Sequence, residues 1–562
     1  MKTLVKRSFD IFKIIVLIYL FTLLVFLIDT TKVFIEIKNL SSSLKIQDNS
    51  DIRVGKFARD LQRYSETLDS PLVIPPSLLI GDLNSIRSIG RTFNHGAKAL
   101  EYISPLLDQN LESISITNTQ LLASDRKILS KASNQARLAF QEFENLEFTG
   151  ILRRFDPRLA VFQSRVIKYR EVFDRIDPIL PIIPELLGSE RERTYFVGMQ
   201  NSAQGRGTGG LLGTFAIISI KQGKISLKFV APNTALEIQP DIPIYVPDEY
   251  RVIYRDYAKS WNGSNFSPHF PYAAQIWAET WRRMTGEKVD GVISVDTYLF
   301  RALLAASGPI NVDGYLLTKD NVIEELLSNA YKRFENDPTE RKNYLAEIAK
   351  AVAERFISGS YSKATLIREL IDPLVENRIL IYTNNVEEMD LISQSPLSGI
   401  FSDTPNNEYR LVIQNIAGNK LDYYIYREMI LMSEKCLPQR TTRVDFTVTN
   451  TADPDEKLPA YVNALRAQGY PQGKENTQFA GIFLYGPTDS RITGVIDNDT
   501  GKTYGSVFTE RKRPLYAAQV MIPAGTSKNF SVFFEGGTGK ITSYLQPLVI
   551  PQDTVIIDSC KL

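Results

Sequence analysis

Residues 194–227, TYFVGMQNSAQGRGTGGLLGTFAIISIKQGKISL, restrict the fold more than any other part of the chain. Residues 195–199 and 215–220 are short, apolar and rich in β-branched or aromatic side chains. Gly223 can turn the second run into a third at 225–227, so the segment predicts strand, glycine-rich connection, strand, turn, strand. The connection holds Arg206 and Thr208 among Gly205, Gly207, Gly209 and Gly210, with Gly213 just beyond. Glycine lets backbone N–H groups approach an anion, and a guanidinium can grip one with two parallel donors. Arg206, Thr208, Gly209 and Gly210 are therefore candidate anion-binding residues. The alternative is a plain flexible hairpin connection. Residues 205–210 satisfy G-x-G-x-x-G, but a β-rich run follows where dinucleotide binding requires a helix. The full phosphate-loop pattern Gly-x-x-x-x-Gly-Lys-Ser/Thr is absent.

A chain of 562 residues has room for three or four domains by the usual size prior. Net charge is +1 and no basic stripe interleaved with aromatics occurs, which argues against nucleic acid as a partner. The sequence has two His and two Cys, too few for a Cys/His zinc cluster and a poor base for a Ser/His/Asp hydrolase.

Lys2, Lys6 and Arg7 precede an apolar run over 14–28, which reaches back to Ile11 if Lys13 snorkels. Basic residues before it, Asp29 after it and the lack of a small-x-small cleavage site predict an uncleaved signal anchor at 11–29. Residues 1–10 would be cytoplasmic and the bulk extracytoplasmic, in a single-pass cell-membrane protein; a cleaved signal peptide is the alternative. Residues 30–190 read as a helical stalk. Leu159, Phe162, Val166, Tyr169, Phe173 and Ile176 form one apolar stripe, and Leu122, Leu129, Ala132, Ala136, Ala139 and Phe143 form another. Two such stripes pair as an antiparallel hairpin.

Strands and helices alternate over 191–430, predicting an α/β domain with a mixed sheet. Residues 231–270 form a long polar and aromatic connection, with Asp241 or Asp256 as a conceivable metal carboxylate. A helix follows with Trp277 and Trp281 as core, and VDGVISVD at 289–296 reads as a buried strand. Asp337-Pro338-Thr339-Glu340 caps a further helix. Arg341 and Lys342 lie in its first turn, where the helix dipole disfavours cations, and Arg333 lies just before it. A bound anion would account for them; pairing of Arg341 with Asp337 or Glu340, or simple exposure, would also do so. Residues 431–562 show alternating strands with turn residues between them and predict a β-sandwich. Cys436 and Cys560 bracket it and predict a disulfide in an oxidising compartment, with two unpaired thiols as the alternative. The whole is an α+β multidomain chain.

Five blocks in order, QNSAQGRGTGGLLGTFAIISIKQGKI, FPYAAQIWAETWRRMTGEKVDGVISVD, ASGPINV, AGNKLDYYIYRE and VDFTVTNTADPDEKLPAYV, resemble the bacterial, membrane-anchored family of domain of unknown function 4012. The order of elements from the first strand to GPINV is also similar to the LytR-CpsA-Psr proteins. That resemblance implies an α/β domain that binds a polyprenyl-pyrophosphate-linked glycan and transfers it to peptidoglycan, with Mg²⁺ as a possible cofactor. It places Arg206, Arg333 and Arg341 on the pyrophosphate. The Arg-Asp pair of that wider family should fall near Ala231, Pro232, Asn233 and Thr234, and neither residue is there, which leaves phosphotransfer open and a non-catalytic envelope scaffold as the alternative.

Overall fold

The computed structural model describes residues 54–68, 83–108, 119–144, 167–168, 170–237, 242, 244–255, 260–358, 361–404, 406–436, 439–463 and 475–560. These form two compact units, one within Met1–Arg193 plus Ile220–Ile225 and one within Thr194–Ser219 plus Ser226–Leu562. The expected cytoplasmic tail and anchor, residues 1–29, lie outside the described residues. Among the described residues no helix is long and apolar enough to cross a membrane.

The first unit is helical. Helices α1 (Val54–Leu68), α2 (Leu83–Asp108) and α3 (Thr119–Glu144) each bury one face. On α2 that face is Ile89, Phe93, Ala97 and Leu100, spaced by three and four residues as a packed stripe requires. On α3 it is Ala132, Ala136, Ala139, Phe140 and Phe143. Arg91 Nε donates to Glu142 at 2.8 Å, joining α2 to α3. Of the predicted stripe from Leu159 to Ile176, Leu159, Phe162, Val166 and Tyr169 lie outside the described residues. Phe173 and Ile176 are buried, with the Phe173 ring 5.4 Å from that of Phe140.

The second unit begins with β1 (Arg193–Arg206), β2 (Gly209–Lys221) and β3 (Lys224–Pro232). Helix α4 (Phe270–Thr285) leads to β4 (Gly291–Asp296) and α5 (Thr297–Ser307). The short strands β5 (Ile310–Val312) and β6 (Tyr315–Leu317), α6 (Pro338–Ser358), α7 (Lys363–Val375) and β7 (Ile379–Thr383) follow. The sheet order is β3-β2-β1-β4-β7. Strand β4 runs parallel to β1 and antiparallel to β7, so the sheet is mixed, as expected. Trp277 and Trp281 are core: with Phe196, Phe215 and Val292 they fill the space between α4 and the sheet. Gly198 is required there, because a Cβ would sit 2.5 Å from the Trp277 ring. A second core gathers Ala203, Phe300, Leu304, Leu326, Ile348 and Val352, from β1, α5, α6 and the helical turns around residue 326. Each of the larger apolar side chains there contributes about 1.5–3 kcal/mol on burial.

The remaining strands are β8 (Glu408–Asn415), β9 (Ile425–Lys435), β10 (Thr441–Asn450), β11 (Gln478–Tyr485), β12 (Ser490–Asp497), β13 (Ser506–Glu510), β14 (Arg513–Ile522), β15 (Ser527–Gly536), β16 (Thr542–Tyr544) and β17 (Gln552–Ile557). They make two five-stranded sheets, β12-β15-β10-β9-β17 and β13-β14-β11-β8-β16. Alternate residues such as Val444, Phe446 and Val448 enter a core with Leu411, Ile413, Ile482 and Leu484. Strands β8 and β9 were expected in the α/β domain; their hydrogen bonds go to β11 and β10, so the sandwich starts before residue 431. Cys436 and Cys560 form a disulfide that ties the end of β9 to the tail after β17.

Candidate functional site

The glycine-rich segment is an ordered hairpin rather than an open cradle. Strands β1 and β2 run up to a two-residue turn, Gly207-Thr208. The Gln200 side chain holds it: Oε1 accepts from Thr208 Oγ1 at 2.9 Å, from the Gly210 amide at 3.0 Å and from Asn265 Nδ2 at 3.0 Å. The glycines are set by close backbone approach. A Cβ on Gly210 would lie 2.1 Å from the Asn201 carbonyl oxygen, and one on Gly207 2.2 Å from that of Phe266. Thr208 and the Gly210 amide are thus already hydrogen-bonded within the protein, and neither these two nor Gly209 lines the cavity described below.

The three candidate arginines do not converge. Arg206 is buried at the end of β1, donates to the carbonyls of Gly205 and Asn415 at 2.9 and 3.0 Å, and stacks 4.1 Å from the Phe266 ring. Burial lowers its pKa to about 10, against the opposing pull of nearby Asp422. It joins the α/β sheet to β8. Arg333 is neutralised by a two-pronged pair with Glu325 and lies 3.5 Å from the Tyr315 ring. Both are structural cations.

Arg341 is different. Asp337 caps α6, accepting from the Glu340 amide at 2.9 Å, and this fixes the first turn so that Arg341 points inward. It is 1% exposed, and its Nη1 and Nη2 are buried without a hydrogen-bond partner. Its guanidinium lies 3.8 Å from the Tyr461 ring and 4.7 Å from the Tyr331 ring. The Tyr331 hydroxyl accepts from Asn201 Nδ2 at 2.9 Å, and burial raises its pKa. Such a cation, held by π-faces and lacking donor partners, is expensive unless an anion completes it.

Arg341 faces a cavity of about 80 Å³. Strand β1 supplies Met199, Gln200 and Asn201, and β2 supplies Leu211, Gly213 and Thr214. Lys342 and Lys420 also line it, and the lining contains no carboxylate. Lys420 Nζ donates to Gln204 Oε1 at 2.8 Å. Thr297, first residue of α5, lines it too, and its buried Oγ1 has no partner. The Asp296 carboxylate already caps the helix that Thr297 begins, so the positive character of the lining comes from Arg341, Lys342 and Lys420. The other walls are apolar: Phe300, Leu326, Leu345 and Ala349. Leu326 belongs to a π-helical turn, Glu325–Asn329, a local irregularity that re-aims side chains.

A lining without a carboxylate does not fit Mg²⁺. No group of three or more His, Cys, Asp or Glu that could hold a metal occurs among the described residues. Asp241 and Asp256 lie outside them.

Sequence reasoning reached Arg341 through its unfavourable place in the helix dipole. It missed Thr297, Tyr331, Lys420 and Tyr461. Asn201, Lys420 and Tyr461 sit in three of the five quoted blocks, QNSAQGR, AGNKLDYY and LPAYV, which was the available signal. Neither a curated protein nor a solved structure matches the chain. Residues 190–331, which carry β1 to β6, Thr297 and Tyr331, match the model of the family described as Protein of unknown function (DUF4012), so this segment of the chain is similar to that family.

Proposed function

We propose that the second unit binds an amphiphilic phosphate, namely a polyprenyl-pyrophosphate-linked glycan, at the cavity around Arg341. The observation that carries this reading is a buried guanidinium with two unpartnered nitrogens in a lining of three cations and no carboxylate. Helix α6 gives the site a direction. Arg341, Leu345 and Ala349 recur every four residues along one face, so an anionic head at the first turn leads onto an apolar wall. The N-terminal pattern of the sequence supports an extracytoplasmic position anchored in the bilayer, where such lipids are presented. The order of strands and helices supports a LytR-CpsA-Psr-like fold.

A second reading, binding without transfer, draws on the same lining. It holds neither His nor carboxylate to take a proton from an acceptor hydroxyl, so the site is equipped to hold a pyrophosphate more clearly than to move one to peptidoglycan. Titration of geranyl pyrophosphate into the full chain in detergent tests the proposal, with Arg341→Met as the control. Saturable binding that weakens at least about tenfold in the variant is expected, in line with loss of a charge-assisted pair. Equal binding by both proteins would remove Arg341 from the site.

A further inference from the structure

Residues 451–463, from the end of β10 through the short helix Ala460–Asn463, form a strap that the β-sandwich lays against the α/β domain. On the sandwich side Asn476 fastens it, donating from Nδ2 to the carbonyls of Asp453 and Glu456 at 2.9 and 2.8 Å. On the other side Lys332 Nζ pairs with Glu456 at 3.1 Å, and the Ala460 amide donates to Glu335 Oε1 at 3.1 Å. The backbone amide of Lys420 donates to the Val462 carbonyl at 3.0 Å, so the strap is also bonded to the segment that carries a cavity lysine. Val462 is buried, and the half-buried Tyr461 beside it places its ring 3.8 Å from the Arg341 guanidinium and 5.6 Å from the Tyr331 ring.

We propose that Tyr461 is a positioning residue for the anion site: the sandwich strap presents its ring to Arg341 and holds the guanidinium with its free donors turned into the cavity. This rests on the anion-binding reading above and extends it. The sandwich becomes one wall of the site rather than a separate binding module. A guanidinium whose donors have no protein partner is fixed only by its aliphatic stem and by the π-faces beside it. Tyr331 is held by Asn201 within the α/β domain, whereas Tyr461 arrives on a strap joined to that domain by exposed polar contacts and by the packing of Val462 and Leu458 around Tyr331 and Leu345. Affinity for the anion therefore depends on the strap being docked.

The test uses the full chain and three variants: Tyr461→Phe keeps the ring, Tyr461→Leu fills the space without a π-face, and Tyr461→Ala empties it. One readout needs no ligand. Phenylglyoxal modifies accessible guanidinium groups, and Arg341 modification is followed by mass spectrometry of its peptide. We expect slow modification in wild type and Tyr461→Phe, and about fivefold or faster modification in Tyr461→Leu and Tyr461→Ala, the scale of a lost cation–π contact. The second readout is inorganic pyrophosphate titration, where the same two variants should bind roughly five- to twentyfold more weakly. Unchanged Arg341 reactivity in Tyr461→Leu overturns the positioning role whether or not pyrophosphate binds. Raised reactivity without any pyrophosphate binding by wild type supports the positioning role and retires the anion reading instead.

Discussion

Replacing Arg341 with Met should make the ligand-free protein more stable while removing its ligand. Met keeps the length of the stem without charge or donors. Wild type buries two guanidinium nitrogens without partners, and a buried unmade donor costs about 1–3 kcal/mol. Water entering the cavity recovers part of that. Against it stand the contacts with the Tyr331 and Tyr461 rings, together worth about 0.5–2 kcal/mol. The balance favours the variant by about 1 kcal/mol, a rise of roughly 1–3 °C in Tm for a unit of this size. With ligand at about a hundred times the wild-type Kd, wild type gains about 2.7 kcal/mol and a variant that binds at least about tenfold more weakly gains about 1.4 kcal/mol or less, so the order of stability inverts. Differential scanning calorimetry with and without geranyl pyrophosphate reads both halves. A variant less stable than wild type by more than about 1 kcal/mol without ligand would make Arg341 a structural cation like Arg206, and the reasoning would fail.

Three further outcomes follow from the same structure. Glu510 is buried, accepts from Ser267, Tyr254 and Tyr485, and has a pKa raised by burial above the ordinary 4.5. The folded state therefore binds its proton more tightly than the unfolded chain: stability is full below pH 4.5 and is lost as pH rises through the folded pKa, so Glu510→Gln should flatten that decline in melts taken across the range. Reducing Cys436–Cys560, which spans 124 residues, should lower stability by up to about 4–5 kcal/mol in the loop-closure estimate, seen as a lower denaturant midpoint under reducing conditions. Gly210→Ala should destabilise by about 2 kcal/mol or more, because the new Cβ meets the Asn201 carbonyl; a variant of normal stability that has merely lost pyrophosphate binding would instead revive the hairpin tip as the anion site.

Much of the fold could be read from local pattern because the signals are local. The Trp277/Trp281 helix, the strand at Gly291–Asp296, the Asp337 cap and the two strands of the hairpin follow from periodicity and capping chemistry within a few residues. Pairing partners are another matter. Strands β8 and β9 look like any others in sequence, and only their long-range hydrogen bonds assign them to the sandwich. The glycine-rich segment misled for a physical reason: glycine marks both a flexible cradle and a strand crossed closely by other backbone, and here Phe266 and Asn201 lie against it. Arg341 was legible because a cation in a first helical turn is locally unfavourable. Lys420 and Tyr461 break no local rule, so nothing short of the tertiary structure brings them beside it.

In the proposed complex the anion sits at Arg341 and the tail runs down α6. The most direct measurement is a crystal structure of the protein with a short-chain isoprenoid pyrophosphate bound. The prediction is phosphate oxygens within about 3 Å of Arg341 Nη1 and Nη2, as charge-assisted pairs require, and the tail against Leu345 and Ala349. Phosphate density at Arg206, Thr208 and Gly209 with the Arg341 cavity empty would contradict it.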